Sequence, residues 1–414
     1  MLSTQNVRQI LIKTNGESLR KARSLGPEKT IELITRKGLK GRGGAGNSTG
    51  TKWLEVRSQP GGEKYFVVNC DEGEPGTFKD RFILENNSET LIEGIEIACY
   101  AIGARKAFVY VRGEYAALAR EFRKKIGEAP RSVPIEIVIG AGAYVCGEQT
   151  ALLNSIEGRR GTPRLKPPFP ATYGLWGKST VVNNVETVAN AALAFRDDWR
   201  GDLYLFSVSG NVRKPGVYER ALGTRLGELV RDCEPSEPPK AVFFGAAGGC
   251  LKYDSALPLE PAAVAAKGVA LGAAAGGSAA AGGSIMLGSC SLIIVGESQS
   301  IPMVCLSIAR FFAHESCGSC APCREITALL AKRIECSIGA SGAAGAARGF
   351  DAKFNEFVAE SSALLNTASL CGLGQCATAS LSAALKQFPS EFENPTKSQS
   401  KTKSKTKIKK QKTS

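Results

Sequence analysis

The sequence predicts a multidomain α/β protein whose C-terminal part is helical. Three short β-rich runs, "KYFVVN", "KAFVYVR" and "PIEIVIGAGA", are bounded by glycine or by charged residues. Between them apolar residues recur at helical spacing, as around residues 91–102. Alternating strands and helices indicate a largely parallel sheet from about residue 30 to 195. After Pro302 helical patterns dominate to about Phe388, which predicts a small helical domain.

Length and composition narrow the class of protein. With 414 residues and 43% hydrophobic content, the chain can bury more than one core, which excludes a disordered or collagen-like protein. No stretch approaches 18 uncharged apolar residues, so no membrane-spanning helix is expected. Thirteen cysteines accompany a single histidine. An odd count without a secretory signal favours reduced thiols, some of them holding metal, over a disulfide framework.

Both ends of the chain are basic. Residues 1–25 carry five basic residues against one acid, which fits a weak organelle-targeting segment and equally an ordinary N-terminal helix. The net charge is +14, but eight lysines and no acid lie in residues 395–414. That polar tail has too few apolar residues to offset the entropy lost on ordering, so it is expected to be disordered. A solvated tail is favoured over a contact with nucleic acid or anionic lipid, so no nucleic-acid partner is expected.

The middle of the chain changes character. "LYLFSVSGNVRKPGVYE" predicts two short strands around a turn, and a helix follows from about Arg225. This indicates a small β-plus-helix module between about 200 and 296. Within it, the 23 residues 262–284 are dominated by alanine and glycine and are expected to form a flexible insertion rather than an element. A second Ala/Gly/Ser stretch interrupts the helical part at residues 337–349.

A glycine-rich loop lies at "GLKGRGGAG". Four of the six residues 41–46 are glycine and match G-x-G-x-x-G, but "EKTIELITRKGLK" before them is helical, whereas the dinucleotide fingerprint needs a strand there. A P-loop also fails, because Thr51 separates Gly50 from Lys52. Bare backbone beside Arg42 and Lys52 could approach a flat or anionic ligand closely. A structural turn that binds no ligand is an equally favoured interpretation of this loop.

Two further loops combine glycine with charge directly after predicted strands. "NCDEGEPGTFKDR" follows the first strand, and "GAGAYVCGEQTALLNSIEGRRGTPRLKPPFPATYGLWG" follows the third. In an open α/β sheet, ligands bind at the carboxyl ends of the strands. A solvated charged turn explains either loop alone, but three loops of similar chemistry favour a binding site.

The segment "HESCGSCAPCRE" contains Cys317, Cys320 and Cys323 in C-x2-C-x2-C spacing. Such a loop can present three thiolates to a cubane iron–sulfur cluster, which needs four. Zinc or unliganded thiols are less favoured alternatives. The candidates for the fourth ligand are Cys336, Cys371 and Cys376. Cys371 is preferred because the glycine after it in "SLCGLG" frees the backbone to turn the thiolate inward.

Together these segments resemble the flavin- and NADH-binding (flavoprotein 1 type, 51 kDa) subunit of respiratory complex I, NADH-quinone oxidoreductase. Related subunits occur in NAD-linked hydrogenases and formate dehydrogenases. The likeness runs from about Pro27 to Glu393. The motifs in family order are "GLKGRGGAG", "DEGEPGTFKDR", "GAGAYVCGE", "PRLKPPFPA", "NNVETVAN" and "HESCGSCAPCRE".

The resemblance implies a domain order. An N-terminal extension would be followed by a Rossmann-like FMN-binding domain, a β-grasp domain of the soluble-ligand-binding, ubiquitin-like type, a helical bundle holding one [4Fe-4S] cluster, and the tail. The corresponding ranges are 1–26, 27–199, 200–296, 297–394 and 395–414.

The resemblance also implies roles for individual residues. Positions matching the FMN site are Gly41, Gly43, Gly44, Lys52, Asn69, Asp71, Glu72, Tyr144, Gly147, Glu148, Asn183 and Asn184. Positions matching the nicotinamide nucleotide site are Glu74, Lys166 and Phe169, and the expected catalytic residues are Glu74 and Glu148. The expected cluster ligands are Cys317, Cys320, Cys323 and Cys371.

The activity implied is that of an NADH dehydrogenase subunit, with hydride passing from NADH to FMN and single electrons passing to the cluster and on towards quinone. The implied partners, in a hetero-oligomer, are a small thioredoxin-like [2Fe-2S] subunit and a large iron–sulfur subunit. No direct membrane insertion is expected. The expected location is peripheral, on the matrix side of the mitochondrial inner membrane or, alternatively, on the cytoplasmic face of a bacterial inner membrane.

The chain departs from the family pattern at three places. Asn47 and Ser48 replace Phe-Pro, and Glu55 replaces an aromatic residue. The loss of two adenine-stacking rings, at on the order of 1 kcal/mol each, is expected to weaken NADH binding about tenfold or more. Gln149 replaces a second glutamate, which should make the flavin easier to reduce. Two alternatives therefore stay open: a subunit that keeps FMN and cluster but binds NADH poorly, and the diaphorase subunit of a hydrogenase or formate dehydrogenase.

Overall fold

The N-terminal half of the protein is built on a four-stranded parallel sheet. The structure is a computed structural model that describes residues 7–267, 287–339 and 349–393. The strands are β1 (Lys64–Cys70), β2 (Lys106–Val111), β3 (Ile135–Ile139) and β4 (Ser179–Asn184). Their order is β3-β2-β1-β4, and every pairing is parallel. The predicted parallel sheet is confirmed.

Helices cover this sheet on both sides. They are α1 (Glu17–Leu25), α2 (Pro27–Arg36), α3 (Thr49–Arg57), α4 (Lys79–Asn86), α5 (Ser88–Ile102), α6 (Ala116–Gly127), α7 (Gln149–Ile156) and α8 (Val185–Leu193). Short 3₁₀ helices span Gln9–Leu11, Gly113–Tyr115, Tyr144–Gly147 and Leu175–Gly177. Helix α5 is buried along almost its whole length. It crosses α8 at Gly94, where a Cβ would overlap the carbonyl of Val188, so the crossing requires glycine.

The N-terminal segment packs onto this half. The backbone N–H groups of Arg8, Gln9 and Ile10 all donate to the carboxylate of Glu219. Residues 17–25, one of the two sequence alternatives for this region, form helix α1. Residues 7–25 are therefore part of the folded body.

A second, mixed sheet follows. Its strands are β5 (Leu203–Gly210), β6 (Gly216–Ala221), β7 (Pro239–Phe243), β8 (Cys250–Lys252) and β9 (Ser291–Gly296). The order is β6-β5-β9-β7-β8, and only the β5–β9 pairing is parallel. Helix α9 (Leu226–Asp232) lies between β6 and β7 in the chain and confirms the helix predicted from about Arg225.

One expectation for this region needs correction. Residues 262–266 were expected to belong to a flexible insertion, but they form most of helix α10 (Pro261–Ala266). The helix starts with a proline in its first turn and buries Val264 in the core of the mixed sheet, which supplies the packing that an alanine-rich sequence lacks by itself. The remainder of that stretch, from 268, lies outside the described residues up to 286.

The C-terminal part is helical, as predicted. Its helices are α11 (Ile301–Glu315), α12 (Ala321–Ile338), α13 (Ala352–Ala368), α14 (Gly372–Cys376), α15 (Ala379–Gln387) and α16 (Pro389–Glu393). Residues 340–348 and the lysine-rich tail lie outside the described residues. One apolar core joins the three parts of the chain through Val67, Phe243 and Phe312. None of the helices in the described ranges combines the length and apolar character that crossing a bilayer requires.

Candidate functional site

A cavity of about 270 Å³ lies where the three parts of the chain meet, at the carboxyl ends of β1 and β4. The first half contributes the glycine loop between α2 and α3, the loop after β1 and the 3₁₀ helix after β3. The mixed sheet contributes Phe244, Ala247, Gly248, Gly288 and Ser289, and the helical part contributes residues 371–373. The predicted meeting of strand-end loops is thus what the structure shows.

The glycine loop presents bare backbone to this cavity. The Gly41 N–H donates to the Asn47 carbonyl at 2.8 Å and closes the loop on itself. A Cβ on Gly43 would lie 3.1 Å from the Cβ of Asn184, and Gly44 has a φ of +110°. Only glycine satisfies both constraints without strain. The loop can therefore lie flat against a ligand.

Two cations stand beside the loop. Lys52 donates from Nζ to the Val182 carbonyl at 2.8 Å, and burial lowers its pKa to about 8. The guanidinium of Arg42 lies 3.3 Å from the ring centroid of Tyr204, and its Nη2 donates to the Gly201 carbonyl. Nε and Nη1 of this buried arginine have no hydrogen-bond partner. Both atoms are enclosed by protein, so of the two cations it is Lys52, which lines the cavity, that suits an anionic group such as a phosphate.

Three carboxylates from the loop after β1 line the opposite side, each in a different environment. Asp71 has no hydrogen-bond partner at Oδ2, and burial raises its pKa to about 7. Glu72 accepts the first N–H groups of α4, from Asp80 and Arg81, while burial and the neighbouring Asp80 charge raise its pKa to about 8. Glu74 accepts from Ser289 Oγ at 2.6 Å, and burial raises its pKa.

Amide side chains hold the ends of the strands together. Asn69 Nδ2 donates to the Gly147 carbonyl at 2.9 Å, and Asn183 Oδ1 accepts from Trp53 Nε1 at 2.9 Å. Asn184 donates to Asp80 Oδ2 at 2.6 Å. Behind these amides, the buried ammonium of Lys79 pairs with Asp80 at 2.7 Å and with Glu186 at 3.0 Å. The floor of the cavity is therefore cross-linked by hydrogen bonds.

Glu148 and Lys166 form a pair at the edge of the cavity. Glu148 caps helix α7 by accepting the N–H groups of Thr150 and Ala151, and its other oxygen lies 2.6 Å from Lys166 Nζ. Glu148 lines the cavity, whereas Lys166 is not among the lining residues and is connected to it only by this pair. The Phe169 side chain is 48% exposed and is not among the lining residues.

The cysteines gather at the N-terminal ends of two helices. Cys317 and Cys320 lie between α11 and α12, Cys323 is in the first turn of α12, and Cys371 precedes α14. The Leu370 N–H donates to Cys320 Sγ at 3.3 Å. A Cβ on Gly374 would lie 3.1 Å from Cys323 Sγ. The α14 end thus touches two thiols of the first loop.

The candidate donor set consists of thiols, three from one loop and one from before α14, which is the ligand type that iron–sulfur clusters use. Within the described ranges no group of three potential ligands could hold one metal ion. A cubane bonds each thiolate to a different iron and so needs them spread apart. Burial raises the pKa of Cys371 to about 11, with Glu148 and Cys317 adding to the rise. For Cys376, burial raises the pKa to about 12, and the charged neighbours that add to it are Glu74 and Cys371.

Comparison with known proteins decides the family. Residues 34–193 match the Nuo51 FMN-binding domain, and residues 303–395 match the NADH-ubiquinone oxidoreductase-F iron-sulfur binding region. The F subunit of the NADH-quinone oxidoreductase of Aquifex aeolicus is 38% identical over 91% of this chain and 88% of its own length. The F 2 subunit of the Rhizobium meliloti enzyme is 40% identical over 88% of each chain. The chain belongs to the family of NADH-quinone oxidoreductase F subunits.

A solved structure agrees with this assignment. An NAD⁺-reducing [NiFe]-hydrogenase in the H2-reduced state contains a chain that superposes with a TM-score of 0.75 at 36% identity. The match covers 89% of this chain and 62% of the hydrogenase chain. The resemblance to the flavin- and NADH-binding subunit is confirmed, and as a member of the F-subunit family the chain is a flavin-dependent NADH dehydrogenase subunit with FMN and a [4Fe-4S] cluster as cofactors.

The structure brings most of the predicted site residues of this chain together. The residues expected to bind FMN all line the cavity, as do Glu74 and Cys371. Cys317, Cys320 and Cys323 lie next to the cavity wall that Cys371 forms.

Sequence reasoning missed the contribution of the mixed sheet. Ser289 and Ala247 hold Glu74 in place, yet neither stands in a motif with chemical meaning. The sequence could have suggested Glu186 as a site residue, because it lies in the motif "NNVETVAN". Only the fold shows that it pairs with Lys79. The unpaired donors of Arg42 could be found only from the structure, since they depend on what surrounds the side chain.

Proposed function

We propose that this chain binds FMN between the glycine loop and the carboxyl ends of β1 and β4, oxidises NADH there, and holds a [4Fe-4S] cluster on Cys317, Cys320, Cys323 and Cys371. When bound, FMN accepts a hydride and releases electrons one at a time to a one-electron centre. The observation that carries the proposal is the shared wall: residues 371–373 line the cavity and also contain a cysteine of the cluster set.

The residues of the cavity divide by chemistry into three groups. Gly43 and Gly44 offer N–H groups, and Gly41, Gly43 and Gly44 all leave space for the flat or anionic part of the flavin. Lys52, which lines the cavity, supplies positive charge for its phosphate. Asn69, Asn183 and Asn184 offer amide groups along the edge of the ring system and its ribityl chain.

The acidic residues control protons and orientation. Asp71 Oδ2 lacks a partner and the pKa of Asp71 is about 7, so this atom can hold a proton inside the cavity at neutral pH. Glu74, fixed by Ser289 and Ala247, has a defined direction for a hydrogen bond to the nicotinamide nucleotide. The Tyr144 ring, packed against Phe311 at 5.0 Å, helps exclude water beside the cluster loop.

NADH would enter past Glu148, Lys166 and Phe169. The exposed Phe169 ring can stack on a nucleotide, and Lys166 can exchange its pairing with Glu148 for a phosphate. The second candidate function, a subunit with weakened NADH binding, is favoured by one observation. Asn47 lines the cavity where a ring would be expected, and Glu55 is exposed nearby on α3.

The finer architecture supports the domain order that the resemblance implies. We take the mixed sheet as a β-grasp domain, because a hairpin, a crossing helix and a central parallel pair of first and last strands are present. The proposed ranges remain 27–199, 200–296 and 297–394.

The relatives support proposals about partners and location. F subunits belong to multisubunit oxidoreductases, so a small thioredoxin-like [2Fe-2S] subunit and a large iron–sulfur subunit are the proposed neighbours. The relatives found are bacterial, which favours the cytoplasmic face of a bacterial membrane over the mitochondrial matrix. The likeness to the hydrogenase chain supports the alternative that this chain is the diaphorase subunit of a hydrogenase. Identifying the proteins that copurify with the chain would distinguish this alternative from a complex I subunit.

The decisive experiment measures NADH oxidation with ferricyanide as acceptor, together with flavin and iron content, on the anaerobically purified full chain with its small iron–sulfur partner. Activity with both cofactors present supports the main proposal. Bound flavin without activity supports the weakened-binding alternative, and absence of both cofactors overturns the proposal.

A matched pair of variants locates the flavin. Gly43→Ala places a methyl group 3.1 Å from the Asn184 side chain and against the ligand, whereas Gly62→Ala has nothing within 4 Å. Flavin content should fall at least tenfold in Gly43→Ala, because closely approached backbone tolerates no side chain, and should stay unchanged in Gly62→Ala. Equal flavin content in the two variants would place the flavin elsewhere.

A further inference from the structure

The cysteine loop is held from outside by an arginine of the first half of the chain. Arg160, on the loop after α7, donates from Nη2 to the carbonyl of Cys317 at 2.7 Å. Within the loop's own helix, Arg324 donates from Nη1 to the next carbonyl, that of Gly318, also at 2.7 Å. Two guanidinium groups therefore hold two successive carbonyls beside the first thiol.

The charge of Arg160 is not neutralised by a nearby acid. Its neighbours Arg159 and Arg164 both pair with Glu157, each at 2.9 Å. In the described ranges Arg160 forms no ion pair with a carboxylate. Of the two arginines that contact the cysteine loop, Arg324 pairs with Glu325, whereas the charge of Arg160 has no paired carboxylate in the described ranges.

A second contact connects the same loop to a residue that lines the cavity. Glu315, two residues before Cys317, accepts the N–H of Tyr144 at 2.9 Å. Tyr144 lines the cavity. Contacts on either side of Ser316 therefore connect the cysteine loop to two loops of the first half. Of these two contacts, only that of Arg160 brings positive charge.

We propose that Arg160 is a positioning residue for the cluster, which orders the Cys317 backbone and raises the reduction potential of the cluster by its charge. The inference rests on the proposed function in one respect, the assignment of Cys317 as a ligand. Cluster potentials depend on net charge, hydrogen bonding and solvent exposure around the sulfurs. A fixed positive charge favours the reduced cluster, which carries one more negative charge. Because Arg160 is exposed, solvent screens part of this effect.

The test compares Arg160→Gln, Arg160→Lys and the matched control Arg159→Gln in the full chain with its cluster. The cluster is titrated by potential-controlled electron paramagnetic resonance. In Arg160→Gln the ratio of reduced to oxidised cluster at a fixed potential should fall roughly three- to tenfold, the upper value being about 59 mV for a one-electron couple. Arg160→Lys keeps the charge and should recover most of the potential. Arg159→Gln should match the wild type.

A second measurement does not need the cluster. In the cluster-free chain, alkylation of Cys317 by iodoacetamide is followed by mass spectrometry as the limiting rate at high pH, where the lost charge no longer changes the fraction of thiolate. This rate should be several-fold faster in Arg160→Gln than in Arg159→Gln, because the hydrogen bond to the Cys317 carbonyl is gone. If Arg160→Gln loses its cluster altogether, this rate decides the question. Equal rates, or an unchanged potential in a fully loaded Arg160→Gln variant, would overturn the inference. A wild-type chain that binds no iron would instead refute the proposed function, and the alkylation rates would still test this hydrogen bond.

Discussion

Asp71, Glu72 and Glu74 come from one short loop, yet their surroundings give them different chemistry. Glu72 accepts hydrogen bonds from the N-terminus of α4 and Glu74 from Ser289, but Asp71 Oδ2 is buried without a donor among the described residues. A buried acid without donors keeps its proton to higher pH, since burial penalises the charged form. At the scale of the residue, the site thus holds two carboxyl groups whose charge changes near neutral pH, Asp71 and Glu72, and of these Asp71 is the one with a buried oxygen that has no partner among the described residues.

The pKa of Asp71, about 7 against an ordinary 3.8, has a consequence for stability. The folded chain holds this proton more tightly than the unfolded chain, so the free energy of unfolding should fall as the pH rises from about 4 to about 7. In Asp71→Asn the side chain is neutral throughout, and this part of the decline, on the order of 2 kcal/mol, should disappear. Urea unfolding of the flavin-free full chain at several pH values measures it.

The control for that measurement is Asp197→Asn, which alters an exposed carboxylate. It should keep the pH dependence of the wild type. If Asp71→Asn and Asp197→Asn show the same slope, the proposed proton on Asp71 is excluded.

Helix α1 shows how a distant residue can complete an element. Its N-cap is Gly16, which has no side chain to accept the first N–H groups. Glu93, buried on α5, takes that role by accepting from Gly16 N and Leu19 N, each at 2.8 Å, and from the Thr14 hydroxyl. An acid at a helix N-terminus also interacts favourably with the helix dipole. Glu93 is therefore the residue of α5 that caps helix α1, while Thr90 holds the preceding turn by donating to the Ile12 carbonyl at 3.0 Å.

Removing that charge should loosen the segment. Glu93→Gln loses the charge-assisted acceptors and should lower the free energy of unfolding by about 2 kcal/mol. Hydrogen exchange at the Leu19 N–H should become faster. The matched control is Glu89→Gln on the same helix, since Glu89 makes only solvent-accessible pairs, with side-chain exposure of 43%. A Glu93→Gln variant as stable as Glu89→Gln would show that the contact contributes nothing.

At the scale of the whole molecule, function depends on three parts of the chain meeting at one cavity. The glycine loop and strand ends come from the first half, Ser289 from the mixed sheet, and Cys371 from the helical part. The core that includes Val67, Phe243 and Phe312 fixes their relative positions. Flavin site and cluster site therefore share a wall because the domains share a core.

This arrangement predicts which cysteine completes the cluster. Cys371 lines the cavity and is close enough to Cys317 for that thiol to raise its pKa. Cys376 lies at the other end of α14, near Glu74. In Cys371→Ser, iron and acid-labile sulfide per chain should fall severalfold, because a hydroxyl replaces a cluster thiolate. Cys376→Ser should keep its iron. Iron loss in Cys376→Ser alone would reverse the assignment.

Local sequence patterns were sufficient to predict much of the secondary structure of this protein. The helical periodicity in residues 30–34 and around 91–102, the strand runs and the C-x2-C-x2-C spacing could be recognised because each depends on residues a few positions apart. Helix α10 was not readable, since alanine-rich sequence gives no periodic signal and only the burial of Val264 stabilises it. The four glycines of the loop predicted a ligand, but the motif alone did not distinguish a flavin from a dinucleotide.

The sequence by itself determined the secondary structure, the position of the ligand-binding loops and the supply of thiolates, because these properties are encoded in neighbouring residues. Only the tertiary structure decided that Ser289 holds Glu74, that Glu93 caps α1 and that Arg160 holds the Cys317 carbonyl. Those contacts join residues 74 to 215 positions apart, and they form only after the packing of apolar cores has brought the chain segments together.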